Sequence, residues 1–572
     1  MEELERIVSS RLFSRSDRLC RFLRFAVDTA LRGEADRVKE YVVGSEVFGR
    51  GSSFDPRVDP VVRVEARRLR SRLKDWYQGE GGRSRVIIEL PTGSYSAVFH
   101  EREKAAAPPA TAERTIAILP FVNVNGDPEG DYLSDGMTEE LIHALTRLSG
   151  LRVMSWNSAS HFKGREQQDL AGVRERLRVD TVLRGSVRRG PCQLRVTAQL
   201  IETATGFFLW SEAWDRSATD LFAIEEEIAQ AIANALRLRL GTGSVSRLAP
   251  QAASLECYNL YLKGRFHWNT RTREGFDIGI RCFLEATEID PHWPLAWCGL
   301  ADAYALRADY GFTTPAESMP ASREAAEKAL RLDPTLGEAW NSLAFVRSMY
   351  EWEWEDAERM YRRAIELNPG YAVAHLWYAA DFLPALGRLD EALHEIEIAR
   401  ALDPLSPYPP QCLAFIHMFA GRYEEANAVY EEIARLYPLS WRSCGSQGRL
   451  YSMMGEYAKA IELFEQAHAM VGAEPSLLGA MGQTYALAGR ADKARHLLRV
   501  LEDLAEHRFV PATSIALIHT GLGDNDRALD WLEKGADRHD LPITLVGTHP
   551  AYASLHGEQR FEMLLSRIGL RK

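Results

Sequence analysis

The chain has 572 residues, 46% hydrophobic and 26% charged, with a formal net charge of −11. This is the composition of a globular protein too long for one core, and its acidity excludes a protein that coats nucleic acid along its whole length. The charge is uneven: residues 1–100 carry 19 Lys plus Arg against 15 Asp plus Glu, a net of +4, which leaves −15 on the remainder. Seven scattered cysteines (Cys20, Cys192, Cys257, Cys282, Cys298, Cys412, Cys444) form no C-x-x-C pair and read as small buried hydrophobes in a reducing compartment. The start of the chain is charged throughout, and no apolar run approaches the roughly 18–20 residues of a membrane span. A cytoplasmic protein with no membrane partner is expected.

In chain order, two helical stretches come first, "SDRLCRFLRFAVDTALRG" and "RVKEYVVGSEVFG". A third, "VVRVEARRLRSRLKDWY" over residues 61–77, holds five arginines and one lysine: Arg63, Arg67, Arg68, Arg70, Arg72 and Lys74. On a helical wheel Val62, Ala66, Leu69, Leu73 and Trp76 share one face, while Arg63, Arg67, Arg70 and Lys74 form a separate stripe. The spacing predicts an amphipathic helix, anchored on its apolar side and basic on the other. "GGRSRVIIELPTGSYSAVF" then reads as strand, turn and strand. Helix, helix, basic helix, hairpin is the order of a winged helix-turn-helix, where arginine forks suit phosphates and guanine edges. The six basic residues are therefore the expected DNA contacts of a head at residues 1–100. The competing reading is a solvated face whose arginines pair with Glu65 and Asp75.

Residues 101–113 are Ala/Pro-rich and read as a linker, as does "GTGSVSRLAPQAAS" at 241–254. Between them, residues 114–241 combine β-branched runs ("RTIAILPF", "LRVMSWNS") with helical periods ("SDGMTEELIHALTRL", "DLFAIEEEIAQAIANALRLRL"), the pattern of an α/β domain. In its acidic stretch "NGDPEGDYLSDG" the spacing misses the EF-hand pattern, and Ser134 and Asp135 are expected to cap a helix starting near Thr138.

From residue 255 onward the chain repeats. Gly387, Gly421, Gly455, Gly489 and Gly523 stand 34 residues apart, and so do Ala392, Ala426, Ala460, Ala494 and Ala528. Pro334, Pro369, Pro404 and Pro438 close earlier units at intervals of 35, 35 and 34. This is the period of the tetratricopeptide repeat, and about eight units fit into residues 255–572. Such arrays stack into a superhelix with a concave groove. The alanine register places Trp377, Asp381, Gln411, Phe415, Met418, Arg449 and Gln483 on that groove, where a protein or peptide would bind. Burial between repeats is the competing role for its aromatic residues.

"VEARRLRSRL" with a hairpin ending "LPTGSY" resembles the recognition helix and wing of OmpR-type DNA-binding domains. One of the two wing glycines of that group is missing here, as are its N-terminal strands. The wider head resembles a module of bacterial multidomain regulators that precedes a TolB-like (FlgO-like) domain and tetratricopeptide repeats. "TIAILPFVNVNGDPEGDYLSDGMTEELIHALTRLSGLRVMS" is similar to the opening of that TolB-like domain. The resemblance implies a multidomain architecture of winged-helix head, α/β middle and all-α solenoid. Many such regulators carry a membrane helix after the head and some a cyclase domain; neither has a counterpart here.

No H-E-x-x-H, G-x-x-x-x-G-K-[ST] or G-x-S-x-G motif occurs, and the fifteen histidines are dispersed, "RHDLP" at His539 reading as a surface turn. The expectation is a non-enzymatic regulator without cofactor or metal, contacting DNA and a protein partner and possibly self-associating. A signalling scaffold that has lost DNA binding, or an accessory protein of a nucleotide cyclase, are the rival readings.

Overall fold

The structure, a computed structural model, describes the chain apart from residues 1, 11–12, 14–15, 35–37, 52–53, 56–58, 79–85, 92–93, 102–113, 147, 149, 165–169, 191–192, 218–220, 237–253, 438–439 and 572. Most of both expected linkers, Pro438 and the Thr92–Gly93 pair of the expected wing lie outside the described residues. The chain divides into two compact units, Met1–Ala112 and Glu113–Lys572.

The first unit opens with α1 (Glu2–Val8) and α2 (Asp17–Leu31). Next come α3 (Glu40–Val42), which runs into a π-helical turn at Val43–Val47, and α4 (Val61–Gln78). β1 (Val86–Glu89) then pairs antiparallel with β2 (Val98–Glu101). The Asp59 carboxylate accepts the Val61 amide at 3.1 Å and so starts α4. Val62, Ala66, Leu69, Leu73 and Trp76 are all buried, packed with Phe22 and Leu23 of α2, Val43 and Val47 of the π turn and Ile88 of β1. Each large apolar side chain of this set contributes roughly 1.5–3 kcal/mol on leaving water. The expected apolar face of α4 is the centre of this core.

In the second unit, a mixed six-stranded sheet is built from β3 (Arg114–Ile118), β4 (Val122–Asn123), β5 (Leu151–Val153), β6 (Thr181–Arg189), β7 (Gln193–Glu202) and β8 (Phe208–Ser217). The order is β5-β3-β6-β7-β8, with β4 also on β6; β3 runs parallel to both neighbours, and β6, β7 and β8 are antiparallel. Its helices are α5 (Pro128–Thr146), α6 (Trp156–Ser160), α7 (Leu170–Leu177) and α8 (Leu221–Ala235). α5 begins two turns before Ser134, so the expected cap at Ser134 and Asp135 is not formed. Asp127 serves the N-terminus instead, accepting the Gly130 amide at 2.5 Å, and Asp135 is buried against Lys163 at 2.6 Å.

Eight helix pairs follow: α9 (Leu255–Asn269) with α10 (Arg273–Ile289), α11 (Pro294–Asp309) with α12 (Pro315–Leu332), and α13 (Gly337–Met349) with α14 (Trp354–Leu367). In the fourth pair, α15 (Ala372–Trp377), a π turn (Tyr378–Phe382) and α16 (Leu383–Ala385) together face α17 (Leu389–Leu402). The remaining pairs are α18 (Tyr408–Phe419) with α19 (Tyr423–Leu436), α20 (Trp441–Met453) with α21 (Tyr457–Val471), α22 (Pro475–Leu487) with α23 (Ala491–Ala505), and α24 (Ala512–Leu522) with α25 (Asn525–Asp537). The five repeat alanines are all at 0% exposure, where a larger side chain would force the helices apart. The five repeat glycines have φ between +70° and +79°. Around Gly421 a Cβ would meet nothing within 4 Å, so backbone conformation and not space demands glycine there. Trp297 and Trp340 each donate their ring N–H to the carbonyl of the proline six residues earlier, Pro291 (3.0 Å) and Pro334 (2.9 Å).

Two features depart from a free-standing solenoid. The break expected at 241–254 does not separate two cores: one apolar cluster runs from Ile116 of the sheet through Tyr258 and Leu262 of α9 into the later repeats. Beneath it lies a buried ion triad, in which Arg265 of α9 pairs with Glu139 of α5 and reaches Asp302 of α11 at 3.5 Å. A second seam ties α6 to the end of α17, where Ser158 Oγ donates to Asp403 at 2.6 Å and accepts the Leu405 amide at 2.9 Å.

The array also closes on itself. After α25 the chain forms short 3₁₀ helices at Leu541–Leu545 and Pro550–Leu555, then α26 (Gln559–Arg567). His539 stacks on Trp352 with ring centroids 4.2 Å apart and lies 2.6 Å from the Tyr350 carbonyl, and Trp354 donates to Ile568 O at 2.7 Å. The turn at His539 is therefore a packed contact and not a surface turn, and Asp540 beside it is fully buried, accepting the Ala512 amide at 2.7 Å. No helix among the described residues is long and apolar enough to cross a membrane.

Arg265→Ala would leave Glu139 and Asp302 buried without their cation. We expect a loss of about 3–5 kcal/mol in the stability of the second unit, read as a lower urea midpoint.

Candidate nucleic-acid interface and partner groove

The basic residues of α4 do different work. Arg70 sends Nε to Leu90 O (2.9 Å) and Nη2 to Pro91 O (3.1 Å) and Ser94 O (2.8 Å), so its fork holds the hairpin turn. Arg72 donates to Ser16 Oγ and ties α4 to the start of α2. Arg63 pairs with Glu40 at 2.9 Å, and Arg68 with Glu65 at 3.1 Å, both with their side chains largely exposed. Arg67 is exposed and has no hydrogen-bond or ion-pair partner among the described residues. Lys74 lies on the helix, with its side chain outside the described residues. The outward basic surface thus centres on Arg67, flanked by Arg63 and Arg68, with Arg70 and Arg72 engaged inward.

The groove residues converge, but not on an open groove. Phe415, Met418 and Arg449 line a cavity of about 160 Å³ whose other wall is Leu545, His549 and Tyr552 of the chain's own C-terminal segment. Arg449 and Gln483 line a second cavity of about 340 Å³, walled on another side by His549, Pro550 and Ala551. Arg449 Nη2 donates to Ser476 O at 2.7 Å, and Gln483 Nε2 to Thr520 Oγ1 at 3.1 Å and Ala551 O at 3.4 Å. Met418 is buried and Phe415 packs on Phe419 at 4.2 Å, so these two are partly core. Trp377 and Asp381 line a separate cavity beside the α/β domain, where Trp377 also packs on Phe345 at 5.0 Å. Gln411, near its α18 wall, is half-buried.

Periodicity could not reveal the C-terminal wall, because the prolines of "LPITLVGTHPAY" break the helical pattern. One signal was present: Gly557 follows Gly523 by 34 residues and has φ +90°, marking α26 as the second helix of a ninth, degenerate unit. In the acidic stretch 125–136, Asp127, Asp131 and Asp135 are all engaged internally. No group of three His, Cys, Asp or Glu that could hold a metal occurs among the described residues.

Burial, with the nearby Arg449 cation, pushes the His549 imidazole down to about 3 from 6.5. The unfolded chain therefore takes up this proton first, and the stability that neutral His549 contributes is full above pH about 6.5 and lost as pH falls toward 3. At pH 5 the wall at 541–555 should lose on the order of 2 kcal/mol, read as faster hydrogen exchange there after correction for intrinsic rates. His549→Gln should remove most of that dependence. In the head, Arg70→Ala should destabilise the hairpin by about 1.5–3 kcal/mol, while Arg67→Ala should change stability by less than about 0.5 kcal/mol.

Residues 112–232 match the second domain of HilA/YgeH-like transcriptional regulators. Residues 353–407, 414–469 and 452–507 match tetratricopeptide repeats. A protein of Rhizobium meliloti (strain 1021) named "Putative adenylate cyclase 3" is 34% identical over 240 residues, 39% of this chain and 41% of that protein. Anaphase-promoting complex subunit 3 of Schizosaccharomyces pombe is 25% identical over 153 residues, 27% of this chain and 21% of its own length. Among solved structures, pilF of Pseudomonas aeruginosa is 21% identical, covering 38% of this chain and 94% of its own, with a TM-score of 0.30. The chain thus spans well under half the length of either of these two curated relatives, and carries a transcriptional-regulator second domain followed by tetratricopeptide repeats.

Proposed function

We propose that the protein is a non-catalytic transcriptional regulator of the cytoplasm that contacts DNA through its N-terminal head and a protein partner through its repeats. The observation that carries this reading is Arg67, which has no partner among the described residues and stands on a helix whose opposite face is buried. A rigid helix that presents a free guanidinium can hold it at fixed geometry against a phosphate or a base edge. The regulator-type second domain at 112–232 directly follows this head and supports the same reading. The helix order and hairpin support a winged-helix reading of the head, with α4 as recognition helix, and a TolB-like role in coupling is proposed for the sheet domain. Exposed Phe207, Phe208 and Leu209 at the edge strand β8 would support self-association. The cyclase reading is not adopted: that name belongs to a relative of which this chain spans 41%.

Mobility shift of the full chain on mixed genomic duplex tests the proposal. Binding should weaken steeply with salt, because each phosphate contact releases condensed counterions. Arg67→Ala should either cost roughly 1–3 kcal/mol selectively, if it reads a base, or weaken all sequences alike and flatten the salt slope by about one. A folded protein that shifts no duplex at low salt would refute DNA binding.

A further inference from the structure

Arg271, just after α9, has φ +54°, a conformation arginine rarely adopts. Its guanidinium lies 3.6 Å from the Trp268 ring centroid, and its Nη1 is buried with no hydrogen-bond partner among the described residues. Arg265, one turn and a half earlier, is by contrast fully matched by Glu139 and Asp302. Arg271 faces a cavity of about 160 Å³ whose wall also carries Asp309 at the end of α11 and Asp381 in the π turn. Asp381 has no hydrogen-bond or ion-pair partner among the described residues, while Asp309, on the exposed rim, feels the Arg442 and Arg271 charges from beyond ion-pair distance. Burial pushes the Asp381 carboxyl up, and the Asp309 charge raises it further. Leu306, Leu376, Trp377 and Tyr408 also line it, as does Asp403, which is already engaged by Ser158. Arg271 and Asn157 also line a smaller cavity of about 60 Å³ beside α5 and α6.

A buried guanidinium nitrogen of Arg271 and the half-buried Asp381 carboxylate on one cavity, neither with a hydrogen-bond partner among the described residues, are costly unless something supplies both counter-charges. At about 30 Å³ per water, 160 Å³ is room for roughly five waters, the bulk of a small amino acid. We propose that this cleft binds a small zwitterion of amino-acid or dipeptide size, its carboxylate on Arg271, its ammonium at Asp309 and Asp381, and its apolar body against Leu306, Leu376 and Trp377. The site joins the α/β domain to the first, second, fourth and fifth repeats, so its occupant would act as an effector on that seam. It lies apart from the cavities at Arg449 and does not depend on DNA contact by the head.

Calorimetric titration of the full chain, without DNA, with the twenty free amino acids and simple dipeptides tests this. Saturable one-site binding is expected for at least one of them, lost when its amine is acetylated or its carboxylate amidated. Arg271→Gln and Asp381→Asn should each weaken it at least about tenfold while keeping the helical signal and urea midpoint. Should Arg271→Gln not fold, Asp309→Asn on the exposed rim replaces it. Binding of dipeptides alone keeps both anchors and lengthens the ligand. Failure of every zwitterion to bind, equal binding of capped forms, or unchanged binding in folded variants would overturn the proposal, whatever the head does with DNA.

Discussion

The second unit depends on one guanidinium. Arg265 is enclosed on all sides, and burial alone would disfavour its charge, yet Glu139 and Asp302 hold that charge well above the ordinary arginine range. The two acids respond differently. Glu139 is drawn below its usual value in spite of burial, while Asp302 is pushed up to about 6 by burial that Arg265 only partly offsets. Ser342 of α13 donates to Asp302, so the network reaches from the sheet domain through three repeats. A buried triad of this kind adds little net stability over an apolar core, but any shift of α5 against α9 would strand a charge. It therefore fixes the register in which sheet and solenoid meet.

That register also explains what could and could not be read in advance. The α4 face, the sheet domain's elements and the 34-residue glycine and alanine ladders were legible because each is a local pattern with a physical period. The partnership of Arg265 with Glu139 spans 126 residues and has no period. The same holds for Asp403, which receives Ser158 from 245 residues away. A break in composition at 241–254 looked like a domain boundary, yet the helices on either side of it share one apolar cluster. Composition reports where the chain is irregular, not which cores it connects.

The head shows a subtler limit. Six basic residues in one helix were indistinguishable by type, and a wheel separates only faces. Arg70 and Arg67 differ by one turn of a helix, yet the first has three carbonyls of the hairpin within reach and the second none. Which arginine remains for a ligand is decided by where a turn some twenty residues downstream lands. In the groove the same reasoning applies to Arg449, whose place on the concave face was legible but whose covering by His549 and Tyr552 was not.

An open repeat superhelix behaves as a spring: each joint flexes slightly, and its pitch can stretch or tighten around what it holds. Here the Trp352–His539 stack and the Trp354–Ile568 bond join the third unit to the last, across roughly five intervening repeats. A spring whose coils are fastened together loses that compliance. Torsion applied at one repeat is returned by the clasp, and the free C-terminal end that would ordinarily fray first has nowhere to begin. Accommodation of any occupant must then come from side chains and from the short 3₁₀ turns, not from breathing of the coil. Two of the left-handed residues that are not glycine, Trp352 at φ +60° and His539 at φ +53°, meet at that fastening, so backbone strain gathers where the third unit meets the last.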